Sequence, residues 1–111
     1  MSRQPLPNRR ENETISATWT APDGSSHDFA VCVGFDMQGA VREVFVNHAK
    51  GAMAATLADA CVLISIALQC GISREALGKS LGKVPSWPGN GATSPASPIG
   101  TIIAAIAEVT E

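Results

Sequence analysis

Tyrosine is missing from this chain of 111 residues, and the other aromatic side chains are three Phe and two Trp. Proteins that hold single-stranded nucleic acid stack bases on exposed aromatic rings, and little here could build such a platform. Charge of one sign is also scarce. Eight basic against ten acidic side chains leave a formal charge of −2, whereas nucleic-acid surfaces draw affinity from clustered Lys and Arg. Nucleic acid is therefore not an expected partner. Cysteine is sparse and odd in number: Cys32, Cys61 and Cys70. An odd set with no apolar leader in MSRQPLPNRR fits reduced thiols and a cytoplasmic location better than a disulfide framework. No CxxC or HxxxH spacing links these thiols to His27 or His48, so neither a metal nor a cofactor is expected. A full-length membrane span is lacking too. The apolar run Ala52–Leu68 carries Asp59 near its middle and would extend only roughly 25 Å against a hydrocarbon core of about 30 Å. No membrane association is expected.

Hydrophobic residues, at 45%, suffice for one globular domain. Residues 1–12 read as an extended polar arm with Pro5 and Pro7, and residues 13–111 as a single domain. From Thr14 the pattern alternates, with Ile15, Ala17 and Trp19 on one side, as in a half-buried strand. Ala21–Ser26 carries turn chemistry. Phe29, Val31, Val33 and Phe35 then share one face of a second strand, whose other face holds the small residues Ala30, Cys32 and Gly34. Asp36-Met37-Gln38-Gly39 reads as a hairpin turn and Val41–Val46 as a third strand. Such a meander needs a helical layer over its apolar face.

Met53, Leu57, Cys61, Ile64 and Leu68 supply a helical stripe, and Val62, Leu63 and Ile66 make that helix apolar on further sides. A helix of this kind is a central helix or part of an oligomer interface, so a homodimer is an expected partner state. Gly71 reads as its C′ residue. Ser73 caps a short helix over Arg74–Leu81, and Ser97 with Pro98 opens a last helix running to about Val109. Four prolines between Val84 and Pro98 leave no regular element there, so a loop or lid is expected. The fold class is α+β: a three-stranded antiparallel meander packed on a long central helix and two shorter ones, in the order β-β-β-α-α-α.

No GxSxG elbow and no close carboxylate pair marks catalysis, and no catalytic residue is assigned. Asp59, a charge in a nearly all-apolar helix, reads as a buried polar latch. The start of the long helix, with Lys50 and Gly51, offers free N–H groups and the positive end of a dipole. Glu43 and His48 are placed near it, and Asn8, Arg9 and Arg10 on the arm complete a candidate binding surface.

Several segments in order, Leu6-Pro7-Asn8-Arg9-Arg10 with Glu13-Thr14, Val33-Gly34-Phe35, Arg42-Glu43-Val44-Phe45-Val46, Ser65-Ile66-Ala67-Leu68-Gln69-Cys70-Gly71 and Ser97-Pro98-Ile99-Gly100, together resemble the TSCPD domain family over residues 6–107. That family occurs at the C-terminus of adenosylcobalamin-dependent ribonucleoside-diphosphate reductases and as small standalone proteins. Where its members carry Thr-Ser-Cys-Pro-Asp, this chain reads Thr93-Ser94-Pro95-Ala96-Ser97-Pro98. The resemblance implies a detached, non-catalytic accessory module linked to deoxyribonucleotide metabolism, with a ribonucleotide reductase subunit as partner. The alternative is a small nucleotide-binding regulator or enzyme with its site at the long-helix N-terminus, Glu43, His48 and the Pro-rich lid.

Overall fold

The computed structural model describes residues 12–86 and 91–111. Strands β1 (Asn12–Thr20), β2 (Ser26–Phe35) and β3 (Val41–Asn47) form an antiparallel sheet in the order β1-β2-β3. Its register aligns Ile15 with Val31 and Val31 with Val46. Since side chains alternate across a strand, one face collects Ile15, Ala17, Val31, Val33, Val44 and Val46, and this face meets the helices. Both turns use glycine at positive φ, Gly24 at 88° and Gly39 at 85°, where an L side chain would be strained. In the second turn the Asp36 carboxylate accepts from the amides of Gln38 (2.9 Å) and Ala40 (3.0 Å) and pairs with Arg42 Nε at 3.0 Å.

Helix α1 (Ala52–Gln69) buries Leu57, Cys61, Ile64, Ser65, Leu68 and Gln69. By length and mean hydropathy (18 residues, 1.7) it could cross a membrane; here it packs one face along β3, at one edge of the sheet, rather than lying centrally over the sheet as expected from sequence. Its end is a Schellman motif: Gly71, at φ 92°, donates to Leu68 O, and Ile72 N donates to Ala67 O, both at 3.0 Å. Helix α2 (Arg74–Lys79) begins at Ser73, whose hydroxyl accepts from Ala76 N at 3.0 Å. It ends two residues before the Leu81 expected from sequence. Helix α3 (Pro98–Ala107) starts with Pro98 behind the Ser97 cap and packs on β1, β2 and α2. Arg74 reaches its far end, donating to the carbonyls of Ile106 and Val109 and to Glu111 Oε1.

The expectation of no regular element between Val84 and Pro98 is corrected. Lys83–Pro85 (β4) and Thr93–Pro95 (β5) form a two-stranded hairpin. Its flanking bonds run from Ser86 N to Ala92 O (3.1 Å) and from Ala96 N to Gly82 O (2.9 Å). Antiparallel pairing alternates between hydrogen-bonded and open pairs, so Pro85 and Pro95 fall at open pairs, where no N–H is needed.

Candidate functional site

His48, directly after β3, has φ 69°, and Gly51 stands at the N-cap of α1 with φ 64° and no side-chain cap; no acidic residue occupies the first turn. His48, Lys50 and Gly51 are all exposed, and the chain brackets them within four residues at the α1 N-terminus. Glu43 is not with them. It pairs with Gly34 in the first half of β3, and the four strand residues from there to Asn47 already correspond to about 13 Å. The nucleotide site composed from these residues in the sequence is thus not assembled around Glu43. Asn8, Arg9 and Arg10 lie outside the described residues, as do the other residues of the arm up to Glu11 and Pro88 of the expected lid. His48 instead borders a shallow groove of about 460 Å³ with Ser16, Thr18, Asp28 and Ala30 on the outer face of the sheet.

Asp59 is exposed, which corrects its reading as a buried latch. A helix advances about 100° per residue, so Asp59 falls on the side of α1 opposite Leu57, Cys61, Ile64 and Leu68. The buried polar contacts belong to Ser65 and Gln69. The Ser65 hydroxyl accepts from Val44 N at 2.9 Å and donates to Val44 O at 3.0 Å, while Gln69 Nε2 donates to Arg42 O at 3.0 Å. Arg42 returns a bond to Leu68 O at 2.7 Å. These bonds take up three outward backbone groups of β3, the amide and carbonyl of Val44 and the carbonyl of Arg42, and fix α1 along that edge. The sequence signal was available: Ser65 and Gln69 sit four apart in the otherwise apolar second half of the helix.

With one face of α1 held in this way, the other is open. Val62, Leu63 and Ile66 are 57%, 69% and 37% exposed, an uncovered apolar strip beside Asp59. A separate apolar cavity of about 470 Å³ lies between α2, α3 and the hairpin, floored by Leu81, Pro95, Ile103 and Ala107 with Lys79 and Lys83 at its rim.

All three cysteines are free thiols; Cys32 and Cys61 are buried and Cys70 is half-buried. Burial pushes the Cys61 thiol up to about 11, so it stays protonated and is no nucleophile near neutrality. Cys32 lies under the outer sheet face, its sulfur 3.5 Å from Thr14 Oγ1 and 3.6 Å from Asn47 Nδ2. Among the described residues no group of three or more His, Cys, Asp or Glu could hold a metal ion. The stretch Thr93–Pro98 is structural here: it forms β5 and the Ser97 cap, which accepts from Gly100 N at 3.1 Å.

The family model described as the TSCPD domain matches residues 3–109. No curated protein and no solved structure matches the chain.

Proposed function

The chain belongs to the TSCPD domain family, and on that premise we propose that it is a non-catalytic accessory module of deoxyribonucleotide metabolism. It acts in the cytoplasm, binds a ribonucleotide reductase subunit and forms a homodimer. The family match over residues 3–109 is the observation that carries this reading. The surface it uses toward the reductase is the outer strip of α1. Val62, Leu63 and Ile66 form an exposed apolar patch on a helix whose other side is bonded to β3 through Ser65 and Gln69. A rigid element presenting uncovered apolar side chains is suited to a protein partner.

Affinity capture from the native extract, with mass spectrometry of the retained proteins, tests this. The wild-type chain is expected to retain a reductase subunit, and Leu63→Asp to lose it while keeping its circular dichroism spectrum. A parallel Arg9→Ala/Arg10→Ala variant reports whether the arm shares the contact. Capture that never contains a reductase subunit contradicts the reading.

A further inference from the structure

The two edges of the sheet are treated differently. On β3, the outward amide and carbonyl of Val44 are both bonded to Ser65, and the carbonyl of Arg42 to Gln69. On β1, nothing comparable exists: among the described residues, no strand or side chain meets its backbone on the side away from β2. The turn bond from Ala21 N to Ser25 O, 2.8 Å, sets the alternation along β1. Odd-numbered residues turn their amides and carbonyls to β2, and Thr14, Ser16 and Thr18 turn theirs outward. Proteins normally blunt such an edge with proline, bulges or inward charges. Over Asn12–Thr20, β1 has no proline, pairs with β2 without a register shift, and carries one charge, Glu13.

The core is also open along this edge. Ile15, Ala17 and Trp19 face the helices yet remain half-buried. Beside them a groove of about 270 Å³ runs between β1 and α3, lined by Glu13, Ile15, Ala105, Glu108 and Val109.

We propose that β1 is the homodimer interface: two copies pair their β1 strands antiparallel about a two-fold axis at Ser16, giving one six-stranded sheet. The nine residues of β1 are symmetric about Ser16 in the properties that matter. Thr14 then lies opposite Thr18 of the second copy, and Ile15 opposite Ala17, so hydroxyls meet hydroxyls outside and apolar groups meet inside. Glu13 faces Trp19 of the second copy rather than another Glu13. That sets each Glu13 against an indole stacked on His27 of its own copy, ring centroids 5.4 Å apart, and keeps the two like charges apart. The outward N–H and C=O groups of Thr14, Ser16 and Thr18 are all paired in this register.

This deepens only the homodimer part of the reading above. It is tested on the purified chain alone, so failure of reductase binding leaves it standing. Sedimentation equilibrium measures the dimer dissociation constant of wild type, Ser16→Pro, Ser16→Lys, Ser16→Glu and Leu63→Asp. Ser16→Pro removes an N–H that the β2 ladder does not use, so the monomer keeps its fold and the constant rises tenfold or more. Ser16→Lys and Ser16→Glu each place like charges across the axis and weaken the dimer, and their equimolar mixture associates more tightly than either alone. Leu63→Asp dimerises as wild type does. Should Ser16→Pro fail to fold, the charge-exchange pair decides. A monomeric wild type, a mixture no tighter than its components, or a dimer broken by Leu63→Asp but not by changes at Ser16 overturns the proposal.

Discussion

Ser65 satisfies both backbone groups of Val44 with one hydroxyl, inside the layer between α1 and β3. Ser65→Ala leaves that amide and carbonyl buried without partners, and buried unpaired polar groups cost about 1–3 kcal/mol. Urea unfolding should therefore show a loss of about 2 kcal/mol with an unchanged m-value. A second residue-scale effect is pH dependence at Asp36. Burial pushes its carboxyl up, but donations from the Ala40 amide, the Arg42 side chain and the Gln38 amide outweigh that and hold it below the ordinary value. A depressed native pKa stabilises the fold above the unfolded value near 4, and that contribution disappears as pH falls through the native one. Unfolding measured from pH 6 downward should show wild-type stability dropping below about pH 4, and a shallower drop in Asp36→Asn. Residues of this kind were only partly legible. Asp59 drew attention as the charge in an apolar run, whereas the latch is the neutral pair Ser65 and Gln69. Charge is conspicuous in a sequence, but the angular position around α1 decides burial.

At the level of elements, the meander, the long helix and the caps Ser73 and Ser97 were readable because each has a local cause: alternation, turn glycines, or a hydroxyl ahead of an amide. The β4–β5 hairpin was not, since proline usually speaks against a strand and only the pairing register shows that Pro85 and Pro95 need no N–H. Gly78 packs where a Cβ would stand 3.1 Å from Ile103 Cγ2, a tertiary contact with no trace in local sequence. Gly100 plays the same part between α3 and the hairpin, its missing Cβ falling 3.0 Å from the Pro95 Cβ. Alanine there gains helix propensity of up to about 1 kcal/mol, but a rigid proline ring cannot yield, and overpacking costs about 1–3 kcal/mol. Gly100→Ala should lower the melting temperature, corresponding to a net loss of about 1 kcal/mol, and Pro95→Gly in the same chain, which removes the opposing Cβ, should recover part of it.

For the whole molecule, the apolar character of α1 says that it needs cover on more than one side, but not which side the sheet takes. The sequence therefore points to an association surface without locating it. The fold assigns Leu57, Ile64 and Leu68 to the core and leaves Val62, Leu63 and Ile66 outside. Because Leu63 is 69% exposed, Leu63→Asp should change monomer stability by less than about 0.5 kcal/mol while removing partner binding; chemical denaturation of the same preparation checks the first half. Of the residues gathered into the candidate site, His48, Lys50 and Gly51 stand together at the α1 N-terminus only because they are neighbours in the chain. Glu43 was misplaced relative to them because distance along a strand separates what a short sequence interval suggests is close. The most direct measurement is a calorimetric titration of the purified chain into the ribonucleotide reductase of the same cells. Saturable binding by the wild type, abolished in Leu63→Asp, is the result expected of an accessory module; the absence of any binding heat, confirmed by sedimentation of an equimolar mixture as two separate species, contradicts it.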